Sequence, residues 1–290
     1  MFYRKNVKRR EQGDNKFTKK MKTIKFIGMA LFAILMCVNF TSCSKDDGPT
    51  KNDNGIITKG KKLTKLTCDD SDEFESYIFN YDDNGKLIEV IETKEGAPYC
   101  YYSFIWNDDF VQEIANYIDG DYSYDMTYFV KEGIIKNSLG NRSRPYGDTL
   151  VYNSSNKLIR NKWHDGTNSF IWNDDKLISY SIKHYSSIGA GFDQDQKYIY
   201  SDLTCSKGCF HPILFTAREY LFASYNYVFA FAHPELFGLK TTQLPAKEYY
   251  RSGDEICCYF EYKIDNNGYV SNIIIKYPEW KDVIYTLTWK

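Results

Sequence analysis

The sequence predicts an all-β protein: one long, curved antiparallel meander of hairpins, an open barrel or sheet, with a single buried helical insertion. Three observations carry this expectation. Short apolar–polar alternations recur from Leu63 to the C-terminus between Asn, Asp and Gly clusters, the pattern of strands joined by turns. Two near-duplicate segments, SFIWNDDFV at 103–111 and SFIWNDDKL at 169–177, each read as strand, turn, strand. One stretch, His211–Gly238, replaces alternation with apolar residues at helical spacing.

The first segment is not part of that fold. Residues 1–43 read as a signal region. Lys19, Lys20, Lys22 and Lys25 precede an apolar run from Phe26 to Val38, and small Thr41 and Ser42 precede Cys43. The run has 13 residues, short of the roughly 20 a bilayer-spanning helix needs. The arrangement resembles a bacterial lipoprotein signal, which implies cleavage before Cys43 and acylation of its thiol. Two or more acyl chains on one cysteine give lasting membrane attachment. Residues 1–20 fit no part of such a signal, so translation is expected to begin at Met21. Lys45-Asp46-Asp47 resembles the acidic export signal of Bacteroidetes-type surface lipoproteins, which implies the outer membrane, facing outward. Residues 44–62 are polar, low in aromatics and Gly-bearing, and read as a flexible tether.

From Leu63 to Lys290 a single antiparallel β domain is expected. Looser copies of the hairpin motif stand at FNYDDNGKLIEV (79–90), LVYNSSNKLIRN (150–161) and FEYKIDNNGYVSNI (260–273). Each has an aromatic-ended strand, a turn suited to positive φ, then a second strand. The irregular spacing argues for a meander rather than a solenoid. Tyr122, Tyr124, Met126 and Tyr128 share one strand face, as do Val283, Tyr285, Leu287 and Trp289. In the insertion, about 211–238, Pro212 suits a helix start, Pro234 a stop and Gly238 a final cap. Its apolar character all round implies burial on several sides.

FNYDDNGKL resembles the Tyr-Asp repeat of bacterial surface and toxin-shell proteins, which implies hairpins but no activity. HPELFGLKTTQLPAKEYY (233–250) resembles a passage common in uncharacterised Bacteroidetes lipoproteins described as having a porin-like fold. That resemblance implies a lipid-anchored domain built on a long curved antiparallel sheet, and it carries no assigned activity.

Beyond Cys43 the chain holds 27 basic and 36 acidic residues, a formal net charge of −9. Phosphate-backbone binding needs clustered Lys and Arg, so nucleic acid is not an expected partner. Six cysteines follow Cys43: Cys68, Cys100, Cys205, Cys209, Cys257 and Cys258. An exported protein permits disulfides, and Cys205 with Cys209 is the most plausible local pair. Adjacent Cys257 and Cys258 should face opposite sides of a strand. No zinc-ligand spacing, HExxH, GxSxG or P-loop motif occurs, so neither a metal nor a cofactor is expected. Of the histidines, His164 reads as a loop residue and His233 as a helix-end residue suited to the dipole. Acidic stretches at 69–75 and 193–195 lack the form of a calcium loop. Asp148-Thr149-Leu150 resembles the O-glycosylation site of Bacteroidetes exported proteins.

The aromatic surplus is the more suggestive feature. Tyr99, Tyr101, Trp106, Tyr122, Tyr124 and Tyr128 crowd two neighbouring hairpins. They would stack on sugar faces if exposed, or form the core if buried. The leading functional expectation is a non-catalytic surface module binding a glycan, a peptide or a membrane-protein partner. The alternative is a secreted polysaccharide hydrolase with paired carboxylates. A membrane-spanning barrel is disfavoured by the charged residues on many strands.

Overall fold

The computed structural model describes residues 60–290, apart from 71–74, 119–122, 141–146, 164–165, 186–191, 218–220, 222–226 and 251–254. Cys43, the signal region, most of the tether, Tyr122 and His164 therefore lie outside the described residues.

Among the described residues sixteen strands follow one another around a barrel. The first four are β1 (Leu63–Cys68), β2 (Ser76–Tyr81), β3 (Leu87–Lys94) and β4 (Ala97–Trp106). Next come β5 (Phe110–Tyr117), β6 (Ser123–Lys131), β7 (Ile134–Gly140) and β8 (Thr149–Tyr152). Then β9 (Leu158–Trp163), β10 (Gly166–Asn173), β11 (Lys176–His184) and β12 (Phe192–Phe210). The last are β13 (Lys240–Tyr250), β14 (Ile256–Ile264), β15 (Val270–Lys276) and β16 (Val283–Trp289). Every strand pairs antiparallel with its sequence neighbours, and β1 pairs with β16 from Leu63↔Trp289 to Cys68↔Tyr285. The meander is thus a closed barrel, not the open sheet the sequence suggested. Closure removes the two unpaired edges an open meander would leave.

Turn chemistry places the hairpins as the residues demand. Glu95-Gly96 (φ 52° and 74°) and Glu132-Gly133 (φ 56° and 76°) form two-residue tips with both φ positive. Such tips match the twist of the flanking strands, and glycine at the second position takes that conformation without steric cost.

Period-two alternation sorts each strand into an inner and an outer row. The inner row is apolar and aromatic: on β4, Cys100, Tyr102 and Phe104 are buried. The expected face of β16 also points in, with Val283, Tyr285 and Leu287 buried. On β6, Met126 and Tyr128 are buried. The outer row mixes polar and apolar residues, as in Ile88, Glu89, Ile91 and Thr93 of β3.

The helical insertion lies inside the barrel rather than against the face of an open sheet. Its described part holds two short helices, α1 (Ile213–Thr216) and α2 (Tyr227–Ala232). Pro212 is the N-cap of α1, and Pro234 follows the end of α2. Phe229 stacks on Phe104 at 5.2 Å and meets Tyr128 at 5.0 Å. Phe215 stacks on Tyr285 at 3.9 Å, and Phe231 meets Phe210 at 5.3 Å and Tyr77 at 6.4 Å. These rings tie walls that are far apart in strand order, so the interior is a packed core.

Candidate functional site

One mouth of the barrel is built from a repeated side-chain arrangement. Seven of the eight even-numbered strands, all but β6, carry near this mouth an aromatic residue whose polar handle donates to a main-chain carbonyl of the preceding strand. Tyr81 bonds Leu63 O at 2.9 Å, Trp106 bonds Leu87 O at 2.7 Å, and Tyr152 bonds Ile135 O at 2.6 Å. Trp172 bonds Leu158 O at 2.7 Å and Tyr200 bonds Leu177 O at 3.0 Å. Tyr262 bonds Pro245 O at 2.8 Å and Trp289 bonds Val270 O at 2.7 Å. Each ring keeps its body in the core and satisfies its donor at the rim.

A lysine sits over most of these rings. Lys62 lies 4.9 Å from the Tyr81 centroid, Lys86 5.7 Å from Trp106 and Lys136 5.4 Å from Tyr152. Lys157 lies 5.0 Å from Trp172 and Lys176 5.5 Å from Tyr200. An ammonium over a ring face is held by the ring quadrupole. The signal was present in the sequence as the Lys-Leu that ends FNYDDNGKL, LVYNSSNKL and SFIWNDDKL. Only the barrel shows that these lysines form one crown.

In one sector of this crown lies a cavity of about 470 Å³. Its rim carries Lys61, Lys62, Lys207 and Lys240, its wall Tyr81, Tyr269 and Trp289, and its apolar floor Phe210 and Phe231. Its carboxylate is Glu235, bonded to His233 Nδ1 at 3.1 Å. Burial alone would raise the Glu235 carboxyl, but the bond to His233 and that ring's charge hold it below the usual range. The other ring nitrogen, His233 Nε2, is buried without a partner. Burial lowers the Lys62 ammonium against the pull of Asp82.

The interior holds further titratable groups, all engaged structurally. Glu113 accepts from Tyr128 at 2.9 Å and Tyr124 at 3.3 Å, and burial pushes its carboxyl up to about 8. Glu248 accepts from Tyr180 at 3.0 Å and is likewise pushed up to about 8 by burial. His211 Nδ1 accepts from Ile213 N at 3.2 Å, and burial lowers the ring to about 3, so it is neutral. Its Nε2, 3.1 Å from the Tyr200 hydroxyl, then carries the proton and donates.

The aromatic residues singled out from sequence do not form one platform. Tyr124 and Tyr128 face the interior on Glu113, and Tyr99 packs edge-on to Tyr117 at 5.3 Å. Tyr101 lies on the outer row of β4, half-buried, and Trp106 belongs to the crown. Alternation along β4 and β6 forces this division. Cys205 and Cys209 are both buried and no disulfide joins them; the Cys205 thiol donates to Gly268 O at 3.2 Å. Cys257 and Cys258 do not simply face apart, because a bulge opposite Tyr249 breaks the alternation. Donation from Cys258 lowers the Cys257 thiol to about 7. Thr149 is exposed, while Asp148 is buried on Ser138 and Asn161. Among the described residues no group of three or more His, Cys, Asp or Glu is placed to hold a metal ion.

No protein-family model matches the sequence, and no curated protein does. Solved structures do match. A porin-like protein from Bacteroides vulgatus aligns with TM-score 0.53 and 12% identity, over 79% of this chain and 99% of its own. The fold is porin-like. A second porin-like protein, from Bacteroides uniformis, aligns with TM-score 0.50 and 12% identity, over 79% of this chain and 98% of its own. The likeness of the porin-like barrel extends over nearly the whole of both neighbours, so the described domain corresponds to a complete fold of that kind.

Proposed function

We propose that this chain is a lipid-anchored protein of the outer membrane, displayed at the cell surface, whose barrel stands clear of the bilayer as a non-catalytic binding module. One observation carries the reading: the interior is a packed core rather than a polar lumen, and the outer wall interleaves charged and polar residues with apolar ones. Such a barrel needs an outward apolar band about 25 Å tall and a polar lumen. Here the lumen side is packed with aromatics. On the outer wall Ile105 is followed by Ser103, Ile171 by Ser169 and Ile199 by Lys197 along the same rows. Lys276 and Glu261 pair across that wall at 2.7 Å. Lys or Arg facing lipid at mid-depth costs about 2–4 kcal/mol each, so this wall favours water. Attachment then falls to Cys43.

The hydrolase alternative lacks its central requirement in the cavity, which presents Glu235 alone among carboxylates. Glycoside hydrolysis by the common mechanisms takes two.

The test is the substitution Cys43→Ala in the native host. The unaltered protein is expected in the membrane fraction with acyl mass on Cys43, and the variant in the aqueous fraction with its barrel intact. A variant that still needs detergent for extraction refutes the reading, and unmodified Cys43 in native protein refutes the anchor. For the binding role, a glycan array without hits, together with no co-purifying membrane protein, would end it.

A further inference from the structure

We propose that Cys257 and Cys258 form a redox-active dithiol, which exchange with a disulfide closes to a vicinal disulfide. The pair lies where β13 and β14 meet at Tyr249 and Ile256, the end away from Lys240 and the crown. Each molecule reacts once, so this is a site of reversible modification rather than of turnover. The inference is independent of the binding-module reading.

Placement argues for it first. A bulge separates the pair Glu248↔Cys258 from Tyr249↔Ile256, and Cys257 is the extra residue. It has no register partner on β15 either, where pairing starts at Tyr259↔Lys276. Regular alternation would turn Cys257 away from Cys258. The bulge instead brings its sulfur to the Cys258 thiol, the Tyr250 hydroxyl and the Gln196 amide. Tyr250 and Gln196 are themselves cross-strand partners. The Cα atoms of neighbouring residues are about 3.8 Å apart, closer than the ~4.4–6.8 Å of ordinary disulfides. The small ring is therefore strained and readily reduced, which suits reversible chemistry. A residue outside both ladders can turn for ring closure without cutting a register pair.

The second argument is access and acidity. Among the described cysteines Cys257 alone is half-buried, while Cys258 and the others are buried. A disulfide arriving from outside therefore meets Cys257 first. Donation from Cys258, Tyr250 and Gln196 outweighs burial and holds the Cys257 thiol at about 7, so thiolate is present near neutrality. Burial raises the Cys100 and Cys209 thiols instead. The Cys258 thiol lies 3.7 Å from Glu248 Oε2. Burial raises that carboxyl to about 8, which matches it to a thiol proton.

The exchange runs in two stages. The Cys257 thiolate, its proton released to water, attacks one sulfur of the disulfide. The other sulfur leaves as a thiolate and takes a proton from water, and Cys257 is then a mixed disulfide. Cys258 passes its proton to the Glu248 carboxylate and attacks Cys257 Sγ. The second thiolate is expelled and takes up the proton from Glu248. One disulfide is reduced to two thiols, and two protein thiols are oxidised to one disulfide.

The experiment uses the full-length protein in mild detergent, reduced, freed of reductant under nitrogen and mixed with excess glutathione disulfide. Samples are quenched with iodoacetamide and followed by peptide mass. The peptide carrying Cys257 and Cys258 is expected to lose two hydrogens and resist alkylation, and dithiothreitol should restore both thiols. C258S is expected to stop at a glutathione adduct on Cys257, and C257S to leave Cys258 a free thiol. E248Q is expected to accumulate the adduct, with ring closure at least about tenfold slower. Unfolding midpoints measured alongside show that each variant is folded. In the unaltered protein, a lasting glutathione adduct on Cys257, a bond to any other cysteine, or alkylation of both thiols would overturn the inference. Ring closure in E248Q at the unaltered rate would overturn the part given to Glu248. Neither result touches the binding-module reading, which its own glycan and partner tests decide.

Discussion

Glu113 and Glu248 place two fully buried carboxyl groups in a core of aromatic and aliphatic side chains; Glu113 is held by the hydroxyls of Tyr128 and Tyr124, and Glu248 by the Tyr180 hydroxyl and the Cys258 thiol. Burial raises both from the ordinary 4.5 to about 8. The consequence for stability follows from proton counting. Below about pH 4.5 both groups are protonated in the folded and unfolded chain alike. Between there and about pH 8 the unfolded chain releases its protons while the folded chain keeps them. Stability is therefore full at the acid end and falls by up to about 1.4 kcal/mol per pH unit per group across that window. Urea midpoints between pH 5 and 8.5 should show this fall in the native protein and a flatter profile in E113Q/E248Q. Glutamine keeps an acceptor for the tyrosines and cannot titrate. A native profile as flat as that of the variant would contradict the assignment. Neither glutamate could be told from surface glutamates by sequence, because alternation gives a residue's parity but not which face closes inward.

At the level of single elements, the two copies of SFIWNDD show how far a local motif reaches. In the first, Trp106 pairs with Val111 and the tip spans the residues between them. In the second, Asn173 pairs with Lys176 and the tip tightens to Asp174-Asp175, with Asp174 at φ 52°. The difference lies in what Asp175 meets. Its side chain takes Lys157, the Thr242 hydroxyl at 2.8 Å and the Thr242 main-chain N–H, pinning the tip to the return of the insertion. Identical letters thus encode a hairpin, and distant partners set its tip. The insertion is the other element whose role depends on packing. Phe229 touches Phe104, Trp106, Tyr128 and Phe237 and is fully buried. F229A should cost about 3–5 kcal/mol in chemical denaturation, as other large-to-small core substitutions do. F129A, on the outer wall at 37% exposure, should cost less than about 1 kcal/mol. Similar losses from the two would mean that the insertion does not fill the barrel.

The whole molecule is defined by one seam. Lys62 N donates to Lys290 O at 2.6 Å and Lys290 N to Lys62 O at 3.0 Å, so the ends of the domain lie side by side. A circular permutant that joins Lys290 to Gly60 by a short Gly/Ser linker and opens the chain between Asp108 and Asp109 should fold. Its near-ultraviolet circular dichroism should match that of the native protein, since no ladder bond is cut. Failure of the permutant to fold would count against the closed topology. Most of what leads to this seam is written locally in the chain. Turn chemistry, two-residue periodicity and the apolar run at 211–238 are short-range properties, and from them the strands, their order and the buried insertion can be read. Closure, the crown of lysines over rings and the cavity within it cannot, because each joins residues up to more than two hundred positions apart. No local preference reports a contact of that length; it exists because the last unpaired strand edge and the first find their lowest free energy in each other.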